Sequence, residues 1–168
     1  PWFRECSMRA IEAGDLVSFD TDLIGPYGYC ADISRAWICG HKPDDEQRRL
    51  YAAAHAQVQH NIAMLKPGMT FREVSEAAWP IPEEFLSNRY GSLIHGVGLA
   101  DEYPGIKHWV DFPGKGYDGR IEPGMTLCIE SFIGVEGGRE GVKLEEQVLI
   151  TEDGTETLSS YPMEEDWL

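Results

Sequence analysis

Cysteine, positive charge and long apolar runs are all scarce in this chain. Its 168 residues hold four cysteines, Cys6, Cys30, Cys39 and Cys128, and no two form a C-x-x-C pair. That spacing argues against a zinc–thiolate site and against the disulfide framework of a small secreted domain. Reduced, mostly buried thiols are expected instead. Only 14 Lys and Arg stand against 29 Asp and Glu, so the formal net charge is −15. An acidic balance of this size excludes nucleic acid and anionic membrane as partners, because both recruit basic patches. No apolar run nears the roughly 20 residues that span a membrane. No signal-peptide pattern opens the sequence, and a cytoplasmic protein is expected. Repeats and low-complexity tracts are also missing. The opening Pro1-Trp2-Phe3-Arg4-Glu5-Cys6 lacks an initiator Met and runs towards a strand. Residues 1–168 are therefore expected to form a single domain cut, on its N-terminal side, from a longer protein.

What is present suits one globular core, with hydrophobic residues making up 42% of the chain. Leu16-Val17-Ser18-Phe19 reads as a strand, with Asp20 and Asp22 following at strand spacing and so on one face. Gly25-Pro26-Tyr27-Gly28 is a turn, and Tyr29 to Trp37 reads as the returning strand, bringing Asp32 back to the first pair. A helix is predicted from Pro43 to about Leu65, with Leu50, Ala54, Val58, Ile62 and Leu65 on one face. Lys66-Pro67-Gly68 stops it. Thr70-Phe71-Arg72-Glu73 has the form of a capping box opening a second helix, limited by Pro80 and Pro82. Thr126 to Ile133 and Val142 to Thr151 are the clearest later strands. Long helices between antiparallel hairpins imply an α+β layer fold. His41, His55, His60 and His108 are expected on surface helices and loops. Gly114 to Gly119 is rich in glycine but lacks the strand–loop–helix setting of a phosphate loop, and reads as a plain loop.

Six residues read as the inner shell of a two-metal site: Asp20, Asp22, Asp32, His95, Glu130 and Glu145. Five carboxylates and one imidazole form a hard, oxygen-rich set suited to two divalent first-row ions. Mn, Fe, Co and Zn are all possible by this chemistry. Without ions the carboxylates would repel one another and hold protons. Glu130 interrupts an apolar strand, where an unpaired carboxylate is costly.

These residues lie in segments that resemble the creatinase/aminopeptidase, or pita-bread, superfamily. The likeness covers roughly Gly14 to Ser159. Gly14-Asp15-Leu16-Val17 with Phe19-Asp20 is similar to the first metal strand of that family, and Tyr29-Cys30-Ala31-Asp32-Ile33-Ser34-Arg35 to its second. His95-Gly96-Val97-Gly98 resembles the metal-histidine loop. Glu122-Pro123-Gly124-Met125-Thr126 leading to Ile129-Glu130, and Lys143-Leu144-Glu145 with Val148 to Gly154, resemble the two metal-glutamate strands. The resemblance implies a curved antiparallel sheet with flanking helices, and the six residues above as ligands.

The chain departs from the peptidase pattern in several places. Asp20 and Asp32 are twelve residues apart rather than eleven, and Asp20-Thr21-Asp22 adds a carboxylate where Asp-x-Gly is usual. The segment after His95 is one residue short, and Asp101 stands where a second His is expected. Glu130-Ser131-Phe132 replaces Glu-Pro-Gly. This pattern resembles the dimethylsulfoniopropionate lyases of the DddP type. That likeness implies a dimeric, metal-dependent, carbon–sulfur-cleaving enzyme, with iron the leading metal, Asp101 as base and Tyr90 near the substrate. The substrate is expected to be a small zwitterion, cleaved by β-elimination to dimethyl sulfide and acrylate. A base at Asp101 would need its weak basicity raised by burial among carboxylates. The sulfonium end could rest on an aromatic face, worth about 0.5–2 kcal/mol, with Tyr27, Tyr29, Trp37 and Tyr90 as candidates. Two alternatives stay open: a dinuclear-metal Xaa-Pro aminopeptidase or dipeptidase, and a non-enzymatic pita-bread binding module.

Overall fold

The computed structural model describes residues 7–168. Cys6 lies outside the described residues, so its expected thiol is not placed; Cys30, Cys39 and Cys128 are free, and Cys128 is buried. The chain opens with β1 (Leu16–Asp20), β2 (Leu23–Ile24), β3 (Cys30–Ala31) and β4 (Ser34–Ile38). Three helices follow, α1 (Asp45–Met64), α2 (Phe71–Ala77) and α3 (Glu83–Leu86). Then come β5 (Ile94–Val97), β6 (Asp101–Ile106), α4 (Phe112–Lys115), β7 (Thr126–Ile133), β8 (Val142–Ile150) and β9 (Thr155–Thr157). No described helix is long and apolar enough to cross a membrane.

The first long helix starts where its chemistry demands. Asp44 accepts from the Gln47 backbone N–H at 2.8 Å, and the Gln47 side chain accepts from the Asp44 N–H at 2.9 Å. This reciprocal cap satisfies two donors that the helix leaves open. Asp45 and Glu46 in the first turn suit the positive end of the helix dipole. Leu50, Tyr51, Ala54 and Val58 form the buried stripe. Each large apolar side chain so buried contributes about 1.5–3 kcal/mol before entropy is counted. The Thr70–Glu73 box caps α2 as its sequence predicts.

The main sheet has five antiparallel strands in the order β6-β5-β7-β8-β9. Its two faces differ in kind because strand side chains alternate. On one face Leu127, Ile129, Ile133, Leu144 and Val148 are fully buried. Ser131, on that same face, donates to the side-chain Oε1 of Gln57 on α1 at 2.7 Å, which fixes where the helix packs. The other face carries His95, Cys128, Glu130, Lys143 and Glu145.

The N-terminal hairpin differs from expectation. β1 pairs with β4 from Leu16↔Ile38 to Asp20↔Ser34, but the strand stops at Asp20. Asp22 has φ of 31° and is exposed, so Asp20 and Asp22 do not continue one strand. β2 and β3 form a separate short ladder. Between β3 and β4, side chains replace ladder partners. The Asp32 N–H donates to the Gln147 carbonyl at 3.2 Å, and the Ile33 N–H to Thr21 Oγ1 at 3.0 Å. Two further expectations are corrected. His108 is buried, 4% exposed, not a surface residue. Residues 112–115 form a helical turn, so the glycine-rich stretch begins inside α4 rather than as a plain loop.

Candidate metal centre

Four strands bring the acidic groups together. Glu130 on β7 lies directly opposite Glu145 on β8, and His95 on β5 lies opposite Cys128 on β7. Since cross-strand partners share a face, all four side chains converge. His95 therefore sits on a strand rather than in a loop. Its Nε2 is 3.2 Å from Glu130 Oε1, 3.6 Å from Glu145 Oε1 and 3.8 Å from Asp32 Oδ2. Its Nδ1 is 3.9 Å from Asp101 Oδ1. A bulge between His95 and Val97 sets this last approach, because it brings the start of β6 back over β5.

Two overlapping donor groups result. Asp32, His95, Cys128 and Glu145 offer atoms within 4.8 Å of one another, all from buried residues. Asp22, Asp32 and Asp101 form a second group at the same spacing, running from the buried interior to the surface. Asp32 belongs to both. Asp20 is turned to the β4 side instead, within 2.7 Å of the Ser34 hydroxyl and 3.4 Å of Lys143 Nζ. The structure thus brings Asp32, His95, Glu130 and Glu145 together directly, sets Asp22 and Asp101 at the outer lip, and links Asp20 to them through Ser34 and Lys143.

The donor set suits divalent ions. Asp32 Oδ1 and Glu145 Oε1 are buried without a hydrogen-bond partner, a costly state that a cation would relieve. Burial, with Glu145, Asp20 and Asp22 adding repulsion, pushes Asp32 up to about 9. Burial likewise lifts Glu130 to about 7, although Lys143 opposes it. Burial alone would raise Glu145 and lower His95. For Glu145, Lys143 and then His95 overcome this and hold it below the usual carboxylate range. His95 is drawn up to about 11 by its hydrogen bond to Glu130 and by the nearby Glu145 carboxylate.

Three members of the cluster were missed from sequence. Lys143 is fully buried, with Nζ 2.5 Å from Glu130 Oε2 and 3.1 Å from Glu145 Oε2. Ser34 Oγ lies 2.9 Å from both Lys143 Nζ and Glu145 Oε2. Cys128 donates to the Asp32 carbonyl at 3.4 Å, and burial raises its thiol far above the usual range. A lysine two residues before an expected ligand, hence on the same strand face, was the available signal for the first. Tyr90 is half-buried, and its ring lies 4.6 Å from the Lys143 ammonium. Burial, then Glu130, raises its phenol, which stays protonated. Tyr27 is 96% exposed, and Trp37 stacks edge-on with Tyr161 at 6.2 Å.

A sequence profile described as metallopeptidase family M24 matches residues 1–152. The chain belongs to metallopeptidase family M24. Within curated M24-like relatives, it is 47% identical over 165 residues to a dimethylsulfoniopropionate lyase DddP from Roseovarius nubinhibens, covering 98% of this chain and 37% of that protein. It is 34% identical over 162 residues to an Xaa-Pro dipeptidase from Pyrococcus furiosus, covering 94% and 43% respectively. The solved prolidase from Pyrococcus furiosus superposes with a TM-score of 0.75 at 32% identity, covering 93% of this chain and 44% of that one. The pita-bread α+β architecture of the M24 prolidases is therefore that of this chain as well. The chain spans between a third and a half of the length of these relatives.

Proposed function

We propose that this chain carries the metal centre of a dimethylsulfoniopropionate lyase, working by β-elimination. The observation that carries the reading is the position of Asp101. It is a carboxylate beside the metal-type cluster, 3.9 Å from His95, where the peptidase pattern calls for a second histidine. The 47% identity to a protein named as such a lyase supports the same choice. Asp20, Asp22, Asp32, His95, Glu130 and Glu145 would hold two divalent ions, iron foremost. When bound, such ions stabilise negative charge on the substrate carboxylate and the carbon beside it.

The chain's own residues do the rest. Asp101 takes the proton from the carbon next to the substrate carboxylate. The C–H electrons become the new C=C bond, and the C–S bond breaks with its electron pair leaving on sulfur. Neutral dimethyl sulfide and acrylate result, and no water is consumed. The Asp101 side chain is 28% exposed, so the captured proton has a route to solvent. The protonated Tyr90 phenol at the inner wall can donate to the substrate carboxylate. The enzyme would act as a homodimer on a small zwitterion.

The M24 relatives named as prolidase and Xaa-Pro dipeptidase support a second reading, dinuclear-metal dipeptidase. That chemistry gains from a histidine at position 101 to polarise a peptide carbonyl, and an anionic carboxylate cannot do so. The test is a side-by-side assay of the full-length protein: headspace dimethyl sulfide from the sulfonium substrate against release from an Xaa-Pro dipeptide. Asp101→Ala should lower elimination by at least about 100-fold, the usual scale of a general base, and leave metal content intact. Dipeptide release without dimethyl sulfide would overturn the lyase reading. Metal loss in Asp101→Ala would make Asp101 a ligand.

A further inference from the structure

Lysine is almost never fully buried unless paired, and Lys143 is 0% exposed. Its three ammonium hydrogens have three acceptors, Glu130 Oε2 at 2.5 Å, Ser34 Oγ at 2.9 Å and Glu145 Oε2 at 3.1 Å. Asp20 Oδ2 lies at 3.4 Å, and the Tyr90 ring lies across the ammonium at 4.6 Å. Enclosed in this way, Lys143 does not touch substrate.

Its contacts divide each glutamate in two. One oxygen of Glu130 and one of Glu145 face Lys143. The other oxygen of each faces His95 Nε2, at 3.2 and 3.6 Å. A carboxylate held at one oxygen cannot rotate freely, so the second oxygen is kept pointing into the cluster. Charge leads to the same place. The ammonium offsets one of the buried carboxylate charges of the cluster, and removing one partner of such a pair leaves an uncompensated buried charge, at a cost of several kcal/mol.

We propose that Lys143 is a positioning residue of the metal centre. It is a built-in counter-ion that fixes the rotation of Glu130 and Glu145 and offsets part of their charge. This rests on the metal reading of the site and not on which substrate is cleaved. An apolar side chain of the same length fills the same space, so charge and packing can be separated.

The test compares thermal unfolding of the full-length wild type, Lys143→Met, Lys143→Arg and Lys143→Met/Glu130→Gln, each with Mn²⁺ and after chelation. In the chelated state Lys143→Met should unfold about 10 °C lower, the scale expected for breaking a buried charge pair. With Mn²⁺ its loss should be less than half of that, because the ions supply the missing positive charge. Lys143→Arg should keep most of the chelated stability. The double variant should regain part of it, since the glutamate charge left unpaired by Met is gone. Equal losses with and without Mn²⁺, or no recovery in the double variant, would reduce Lys143 to a packing residue. A wild type that gains nothing from Mn²⁺ would instead remove the metal reading, and this proposal with it.

Discussion

Glu130 and Glu145 face each other across paired strands, an arrangement that like charges normally disfavour. Both are at least 99% buried by surface area, so solvent does not relieve the repulsion. Such a pair persists only if cations lie between or beside it. Lys143 supplies one positive charge, and the orphaned Glu145 Oε1 and Asp32 Oδ1 mark where more is wanted. Removal of a single ligand should therefore act on ion occupancy before it acts on the fold. Glu130→Ala is expected to weaken Mn²⁺ binding by more than the roughly 10–100-fold that loss of an outer partner costs. Its chelated form should remain folded, because a repulsive pair has been relieved along with the loss of a lysine contact. Elemental analysis and Mn²⁺ titration of the purified variant measure this, and unchanged occupancy would take Glu130 out of the ligand shell.

Among the elements, those with strong local chemistry were legible. The Thr70 box places the start of α2, Pro43 lies two residues before the start of α1, and the buried stripe of α1 follows a helical period. β7 and β8 are long enough for their alternation to be read. The first hairpin was harder. Its return strand is interrupted at Asp32 and Ile33 because Gln147 and Thr21 take those backbone donors, and neither partner is adjacent in sequence. β5 and β6 were hidden for another reason. Ile94–Val97 is four residues long and contains a glycine, too little for a period. Lys143 escaped because a lysine in a strand ordinarily faces water. Gly96 shows what the short hairpin requires. A Cβ there would collide with the backbone carbonyl of Tyr103 and with Pro104 on β6. Gly96→Ala should push β6 away from β5 and carry Asp101 off His95. Elimination is expected to fall by about 100-fold, in keeping with a misplacement of about 1 Å, while Mn²⁺ content stays near that of the wild type because the clash is with Tyr103 and Pro104 on β6, a strand that carries none of the six ligands. A variant of full activity would show that the hairpin does not set the Asp101 geometry.

At the scale of the whole molecule, one contribution to acid stability is expected from a histidine outside the metal cluster. His108 follows β6 and accepts at its carbonyl from the Asp111 and Phe112 N–H groups, both at 2.9 Å. Its Nε2 is buried with no partner. Burial first, then the Arg89 guanidinium, lowers it to about 4, with Lys107 adding to the depression and Asp111 opposing it. Arg89 and Asp111 are themselves joined at 2.7 Å and stay charged. An ordinary histidine titrates near 6.5. Between these two values the unfolded chain binds a proton that the folded chain refuses, so stability rises with pH across this window and is lost on acidification. The full difference is about 3 kcal/mol, at about 1.4 kcal/mol per pH unit. His108→Gln removes the titrating group and keeps a polar side chain of similar reach. Urea unfolding of wild type and variant, both with Mn²⁺, should give a stability difference that changes by roughly 3 kcal/mol between pH 6.5 and pH 4, the wild type losing more. Carboxylate titration at the metal centre is common to both proteins and cancels in that difference. A difference curve that stays flat through the window would mean that His108 is reached by solvent in the folded protein.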